Sequence, residues 1–321
     1  MANISLNTLD DTQFNQYYQI KLNHNSNLAV LCRKRYNYGI IEFQQAFIVN
    51  QTIGFIGGGN MAASLIGGLV ANGEFAGEKI SVFEPDTTKA QALAVQFGVH
   101  ASASNEELIA RSSVVVIAVK PQILQAILSP LSAYFKAQKP LIISIVAGIT
   151  SASIEHFLGG QYAVVRVMPN TPALIGQGAS GLFANARVSD AHKSIANTIA
   201  NAVGASAWVK SENDIDSVTA LSGSGPAYFM LFLQGLIEAG EAAGLSAETA
   251  KKLAIQTATG AAQLVASSEL PLQTLIDNVT SPNGTTEKAL LSFKEANLKG
   301  IVGEAFSAAK LRSEQLAKEL A

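Results

Sequence analysis

A glycine-rich turn between a strand-like run and a helix-like run constrains this chain more than any other feature. The apolar run Thr52–Ile56 leads directly into Gly57–Ala62, which has the pattern G-x-G-x-x-A, and an amphipathic segment follows. The first glycine permits a tight turn, the second lets backbone approach a pyrophosphate, and the last small residue lets the helix pack closely on the strand. The flanking strand and helix favour a dinucleotide site over an ordinary glycine-rich turn, which is the alternative.

The segments after this turn alternate between short apolar runs and amphipathic ones. Short, continuously apolar strands separated by helices are typical of a parallel sheet covered on both faces. The pattern therefore predicts a Rossmann-type doubly wound α/β domain, whose ligand crevice lies at the carboxyl ends of the strands. The expected strands are Thr52–Ile56, Lys79–Phe83, Val114–Val119, Leu141–Ile145, Ala163–Met168 and Ala207–Lys210, and the expected helices include Asn60–Ala71, Thr87–Phe97 and Gln122–Phe135.

The pattern changes on both sides of this domain. Residues 1–50 are rich in Asn, Gln and Tyr and show no sustained periodicity, so we expect a poorly ordered leader, with an added module as the alternative. Beyond Asp214 strand signals end and helical stretches rich in Ala, Leu and Gly take over. We therefore predict a dinucleotide-binding domain over 51–214 and an all-helical domain over 215–321. The uncharged stretch Val218–Ile237 has the length of a membrane span, but its clustered Gly and Pro favour a helix buried at an interface.

The composition argues against several functional classes. The net charge of −2 provides no overall attraction to nucleic acid. The single cysteine, Cys32, leaves no partner for a disulfide, and no cluster of His, Cys and carboxylates has the spacing of metal ligands. Residues 1–15 lack the basic and apolar regions of a signal peptide. We expect a cytoplasmic protein with no metal, no nucleic-acid partner and no membrane anchor.

The residues after the second expected strand bear on which dinucleotide binds. Glu84 stands where a carboxylate usually accepts hydrogen bonds from the ribose of NAD. Thr87, Thr88 and Lys89 could instead accommodate a 2′-phosphate, and a Glu84 side chain that points to solvent is a further alternative. The sequence therefore predicts NADPH or NADH without choosing between them.

Four further segments follow the glycine-rich turn in a specific order. They are Ala118–Pro121 (AVKP), Val167–Pro172 (VMPNTP), Leu221–Tyr228 (LSGSGPAY) and Asp277–Thr286 (DNVTSPNGTT). Together with Phe55–Ala62, they resemble the pyrroline-5-carboxylate reductases over roughly residues 51–321. Two departures stand out: Asn283 replaces a more usual glycine, and residues 1–50 have no counterpart in the family.

The resemblance implies reduction of the C=N bond of 1-pyrroline-5-carboxylate to L-proline by NADPH or NADH. It implies substrate binding by Asn278, Ser281, Gly284, Thr285 and Thr286, with the Thr286 hydroxyl bonded to the ring nitrogen in a catalytic role. It also implies an intertwined homodimer, assembled further into a ring, in which the loop Ser281–Thr286 reaches a neighbour's cofactor. The expected cofactor-binding residues are Gly57, Gly59, Asn60, Met61, Ala62, Glu84, Ala118, Val119, Lys120, Pro121, Asn170 and Thr171.

Each of these segments also has a simpler interpretation. Taken alone, Lys120-Pro121 is a turn that ends a strand, Pro169–Pro172 is a rigid turn, and Ser281–Thr286 is an ordinary helix cap. Small residues in the helical domain, such as Ala242–Gly244, fit close helix packing in either a dimer interface or a self-contained core. The presence of all these segments in the same order favours a cofactor and substrate site over the simpler interpretations.

The absence of a histidine motif favours an imine substrate. None of His24, His100, His156 and His192 falls in a recognised pattern. Reduction of a carbonyl needs a strong proton donor, whereas a protonated imine already carries its proton and needs chiefly orientation. A β-hydroxyacid dehydrogenase would place a lysine on the first long helix, and Ser222–Gly235 contains none. A non-catalytic dinucleotide sensor, the remaining alternative, leaves the Thr286 loop without a purpose.

Overall fold

The computed structural model describes residues 51–320, so the expected leader lies outside the described residues. Within that range, eight strands form one sheet in the order β3-β2-β1-β4-β5-β6-β7-β8. The strands are β1 (Ile53–Ile56), β2 (Ile80–Phe83), β3 (His100–Ala101), β4 (Val114–Ile117), β5 (Leu141–Ser144), β6 (Val164–Met168), β7 (Gly178–Ala184) and β8 (Gly204–Trp208).

All neighbouring strands are parallel except β6 and β7, which pair antiparallel with Met168 opposite Gly181. A single 3-10 turn, Thr171–Ile175, connects these two strands. Such a short connection cannot make the crossover that parallel neighbours require, so the chain reverses direction. The carboxyl end of β6 and the start of β7 therefore lie at the same edge of the sheet as the glycine-rich turn after β1.

Seven helices accompany the sheet, and most of them begin at a side-chain cap. The Asp86 carboxylate, for example, accepts hydrogen bonds from Thr88 N and Lys89 N, and these bonds hold the pKa of Asp86 below its usual value. The helices are α1 (Asn60–Ala71), α2 (Thr87–Phe97), α3 (Asn105–Arg111), α4 (Leu124–Leu128), α5 (Ser132–Gln138), α6 (Ser151–Leu158) and α7 (Asp190–Asn201).

Some expected elements differ in their bounds. The expected helix Gln122–Phe135 is divided into α4 and α5 by the 3-10 turn Ser129–Leu131, because Pro130 cannot continue an α-helix. The last strand is Gly204–Trp208 rather than Ala207–Lys210. Strands β3 and β7 carry no sequence signal: β3 is only two residues long, and β7 has the sequence GASGLFA, with no β-branched residue.

The sheet packs against a dense apolar core. One cluster on its face joins β1, β4, β5 and β6 to α3–α6 and includes Ile117, Phe135 and Ile142, all with no exposed surface. Leu, Ile, Val and Phe side chains buried in this way contribute roughly 1.5–3 kcal/mol each to folding. This region has a complete core of its own.

The segment from Asp214 onward contains only helices. After α8 a π-helical turn, Thr219–Gly223, leads into the long helix α9, and α9 packs against α10. The helices are α8 (Asp214–Val218), α9 (Gly225–Ala242), α10 (Ala247–Ala266), α11 (Leu272–Asn278), α12 (Thr285–Glu295) and α13 (Leu298–Glu319). The continuous stretch Asp214–Ala242 is long and apolar enough to cross a membrane by length and composition alone, a test that core helices of soluble proteins also pass.

Candidate active site

The glycine-rich turn takes the conformation that its sequence predicts. Gly57 has φ +98°, and a Cβ built there would lie 2.5 Å from the Ala118 carbonyl oxygen, so only glycine fits. The turn is held to β2 by a 2.9 Å hydrogen bond from Gly57 N to Phe83 O. This packing brings the expected cofactor residues Gly57, Ala118 and Val119 together at the carboxyl edge of the sheet.

The start of α1 is open to a ligand. Gly59 is its N-cap, no side chain caps the helix, and a Cβ on Gly59 would meet nothing within 4 Å. The first N–H groups of a helix have no intrahelical partner, so those of Asn60, Met61 and Ala62 are available to a phosphate. The other helices around the sheet that have at least eight residues begin at capping side chains: Asp86, Thr150 and Ser189. The residues present therefore fit a pyrophosphate at this end of α1.

The Glu84 carboxylate faces the glycine-rich turn rather than open solvent. Its Oε2 accepts a 2.9 Å hydrogen bond from Gly58 N, and its Oε1 accepts a 3.3 Å bond from Asp86 N. The alternative of a free, solvent-pointing side chain is therefore wrong. Thr87, Thr88 and Lys89 form the exposed first turn of α2 beside it. The carboxylate that would favour NAD and the residues that could accommodate a 2′-phosphate thus lie side by side after β2, where the ribose is expected.

Two buried polar atoms near this end were missed by sequence reasoning. Ser102 Oγ and Asn105 Oδ1 have no hydrogen-bond partner in the described part of the chain. Both residues follow β3 at its carboxyl end, on the side of the sheet where β2 carries Glu84. Buried polar atoms without a partner cost free energy unless a ligand or water satisfies them. No motif marks these residues, so only their burial draws attention to them.

The segment after β6 connects the crevice to the helical region. Asn170 is buried; its Nδ2 donates to Ser222 O at 3.0 Å and its Oδ1 accepts from Ala179 N at 2.9 Å. A Cβ on Gly223 would lie 2.9 Å from Met168 Cε. The structure thus brings the VMPNTP and LSGSGPAY segments into contact, and it gives the Asn170 amide a positioning task in addition to any contact with cofactor. Thr171, Lys120 and Pro121 lie at the same edge, where Lys120 and Thr171 are exposed.

The loop Ser281–Thr286 ends in a second open helix start. Gly284 is the N-cap of α12 with no side-chain cap, which leaves the N–H groups of Thr285, Thr286 and Glu287 without helix partners. A turn precedes it, with a 2.9 Å bond from Gly284 N to Ser281 O. Asn283 has φ +59°, in the left-handed region where asparagine is the tolerated substitute for glycine. The departure from the family pattern is therefore conformationally compatible.

This loop belongs to the helical region alone. No hydrogen bond in the described residues links Asn278–Glu295 to the sheet region, and α12 packs on α13 and places Phe293 6.0 Å from the ring of Phe232 on α9. The Glu287 carboxylate accepts a 2.9 Å bond from Asn283 N, which stabilises the turn. Asn278 is the last residue of α11 and is exposed. The expected substrate residues are therefore grouped around one turn, separate from the cofactor residues.

The helices of this region expose an extensive apolar surface. On α9, the side chains of Phe229, Met230 and Leu231 are 62–75% exposed. Contiguous apolar surface of this kind marks an interaction site. Among residues 51–320, no cluster of His, Cys, Asp and Glu could hold a metal ion. The uncovered apolar side chains of α9 are therefore available to a partner.

Two family models match the chain. The model described as pyrroline-5-carboxylate reductase dimerisation matches residues 212–316, and the model described as NADP oxidoreductase, coenzyme F420-dependent, matches residues 52–148. The pyrroline-5-carboxylate reductase of Pseudomonas aeruginosa is 50% identical over 268 residues, which cover 84% of this chain and 97% of that protein.

Solved structures of pyrroline carboxylate reductases are also similar to this chain. A pyrroline-5-carboxylate reductase from Coxiella burnetii is 40% identical, with a TM-score of 0.81 over 83% of this chain and 98% of that one. The Plasmodium falciparum pyrroline carboxylate reductase, solved with NADP bound, is 34% identical, with a TM-score of 0.73 over 84% of this chain and 99% of that one.

Proposed function

This chain belongs to the pyrroline-5-carboxylate reductase family, and from that premise we propose how its residues carry out the reaction. The reaction reduces the C=N bond of 1-pyrroline-5-carboxylate to give L-proline, and NAD(P)H, when bound, supplies the hydride. One observation carries the proposal: a glycine N-cap leaves the starts of both α1 and α12 without a side-chain cap, one helix in each region. Two anions, a pyrophosphate and an amino-acid carboxylate, match these two helix starts.

The sheet region holds the cofactor. Gly57 and Gly59 provide the turn, and the N–H groups of Asn60, Met61 and Ala62 receive the pyrophosphate. Glu84, together with the buried Ser102 and Asn105 oxygens, lies on the adenosine side of the crevice. The segments Ala118–Pro121 and Asn170-Thr171 border the other side, where β4 and β6 end.

The helical region holds the substrate. The N–H groups at the start of α12, those of Thr285 and Thr286, bind the carboxylate, with Ser281, Gly284 and Asn278 forming the surrounding turn. The Thr286 hydroxyl accepts a hydrogen bond from the protonated ring nitrogen and so orients the C=N bond. Because the imine enters with its proton, no strong acid such as a histidine is needed beside it.

Assembly brings the two binding regions together. We propose that the loop Ser281–Thr286 of one protomer completes the cofactor crevice of its partner, because no hydrogen bond within one described chain joins them and the apolar surface of α9 requires cover. We further propose that the dimers assemble into a ring and that the protein is cytoplasmic. The proposal includes no nucleic-acid or membrane partner, and the net charge of −2 supports the absence of nucleic acid. It also keeps the domain limits predicted from the sequence, 51–214 and 215–321.

The test is a comparison of kinetics with four substrate pairs. We expect oxidation of both NADPH and NADH with 1-pyrroline-5-carboxylate, and no reduction of NADP⁺ or NAD⁺ with a 3-hydroxy acid. Turnover with the hydroxy acid alone would favour a β-hydroxyacid dehydrogenase, and cofactor binding without turnover would favour a sensor.

The role of Thr286 is tested by substitution. Thr286→Ala is expected to lower kcat/KM for the imine by roughly 10- to 1,000-fold, because positioning and a hydrogen bond to the ring nitrogen are lost. Thr286→Ser, which keeps the hydroxyl, is the matched control and should retain most activity. Equal kinetics for the alanine variant and the wild type remove Thr286 from the mechanism.

A further inference from the structure

The last two turns of α13 lie against the loop that follows β5. A Cβ built on Gly148 would be 3.4 Å from Leu320 Cδ1 and 3.5 Å from Leu316 Cβ, so the helix end lies beside this glycine with room for one methyl group between them. Leu320 also packs on the apolar core of the sheet region, a cluster that includes Val146 and Ile149 from the same loop. The C-terminal end of a helix in the substrate-binding region therefore packs against the core of the cofactor-binding region.

The covered loop, residues 145–150, borders the cofactor crevice. It connects β5 to α6, and β5 lies between β4 and β6 in the sheet. The carboxyl ends of these parallel strands share one edge, so the loop lies between the segments Ala118–Pro121 and Met168–Thr171. Gly148 is buried and has φ +73°, a left-handed conformation that glycine adopts without strain.

This end of α13 makes one hydrogen bond to a neighbouring helix and one ion pair within the helix itself. Ser313 is buried, and its Oγ donates a 2.7 Å hydrogen bond to Asp216 Oδ1 on α8. Ser313, Leu316 and Leu320 are spaced i, i+3 and i+7, so they share one face of α13. On the outer side, Arg312 bonds Glu319 through two N–H···O contacts of 2.7 and 3.1 Å, which span these two turns.

We propose that Leu320 is a positioning residue for the far end of the cofactor site. Its packing beside Gly148 and on the cluster that includes Val146 and Ile149 fixes the loop 145–150 in the shape that receives the nicotinamide half of the dinucleotide. Because α13 also packs on α8 and α12, the same contact couples the placement of the substrate loop to that of the cofactor. The proposal rests on the cofactor site assigned above.

Hydrogen exchange in the protein without ligands tests the contact separately from activity. In Leu320→Ala, amides of residues 145–150 are expected to exchange about tenfold faster than in the wild type, while those of β1 and β4 stay unchanged. In steady-state assays the same variant should raise KM for NADPH about threefold to tenfold, with a smaller change in KM for the imine. Leu320→Met should restore both values.

Two controls separate positioning from general damage. Leu182→Ala removes the same atoms from a buried site on β7, so it lowers thermal stability without accelerating exchange in the loop. Lys318→Ala changes an exposed residue in the last turn of α13 and should resemble the wild type. Loop exchange that is unchanged in Leu320→Ala, or that rises equally in Leu182→Ala, overturns the inference. A wild-type enzyme that does not turn over the imine would instead refute the proposed function and leave the exchange result interpretable.

Discussion

The sheet region and the helical region bury their apolar residues in opposite ways. In the sheet region, strands such as Val114–Ile117 and Leu141–Ser144 are buried along their whole length. In α9–α12, by contrast, the only buried residues are Gly225 and Ala250, while large side chains from Phe229 to Phe293 are exposed. One region has a core within the chain, and the other gains one only on assembly.

This difference assigns stability and assembly to different parts of the chain. Folding of the sheet region depends on its own buried area, so it responds to core substitutions directly. Folding of the helical region is linked to dimerisation, because its apolar faces have no cover in one protomer. The proposed site takes one uncapped helix start from each region, so under that proposal catalysis requires both regions.

The largest effect is expected where a charge enters the exposed apolar face of α9. Leu231→Glu should produce monomers and lower activity at least about 100-fold, because an unpaired carboxylate in a buried interface costs several kcal/mol. Light scattering with size exclusion and NADPH oxidation measure the two effects. Fluorescence of Trp208, the single tryptophan, on β8, should stay native because the sheet region remains folded.

The matched control is Val95→Glu. Val95 on α2 is 77% exposed, against 71% for Leu231, but it lies in the sheet region. We expect a wild-type oligomer and wild-type activity. Dissociation by both variants would contradict the assignment of the interface to the helical region.

A second pair of variants compares the two kinds of core. Leu128→Ala removes a fully buried side chain in the sheet region and should cost about 2–5 kcal/mol of unfolding free energy at every protein concentration. Leu253→Ala on α10 removes a side chain that is 56% exposed in one protomer. The loss of unfolding free energy in this variant should therefore depend on protein concentration through dimerisation. Denaturant unfolding at two concentrations distinguishes them, and a concentration-independent loss of equal size in both would remove the contrast.

A third, smaller effect concerns the turn before α12. Asn283→Val places a β-branched residue at φ +59°, which strains the backbone by about 1–3 kcal/mol. We expect KM for the imine to rise about 5- to 50-fold, with KM for NADPH little changed, because the cofactor loop lies in the other region. Asn283→Gly should match the wild type in both constants. A rise confined to KM for NADPH is the contrary outcome.

The smallest effect is a pH dependence confined to the sheet region. Burial lowers the pKa of His192, whose Nδ1 accepts the Ser189 N–H in a capping box at the start of α7. With the folded pKa below the unfolded value, the stabilisation is complete above about pH 6.5 and decreases as pH falls through the folded pKa. His192→Gln keeps the box at every pH, so the decrease in Tm between pH 7 and 5 should be about 1–3 °C smaller than in the wild type.

Identical pH profiles for the wild type and His192→Gln would show that the capping box does not titrate.

Much of the fold and part of the site followed from local patterns. Helices Asn60–Ala71 and Thr87–Phe97 have the bounds that their periodicity and caps predict, and the conformation of Gly57 follows from the tight turn. Such features depend on neighbouring residues in the chain, which a sequence displays directly.

The amino-acid sequence by itself determined six of the eight strands, the glycine-rich turn before α1 and the family, because these depend on residue types at short spacings. The tertiary structure alone decided strands β3 and β7, the antiparallel direction of β7, the two hydrogen bonds of Asn170, the unpartnered oxygens of Ser102 and Asn105, and the packing of Leu320 beside Gly148. Those contacts join residues far apart in the chain. Their energies depend on how whole elements pack, so no local pattern of residue types encodes them.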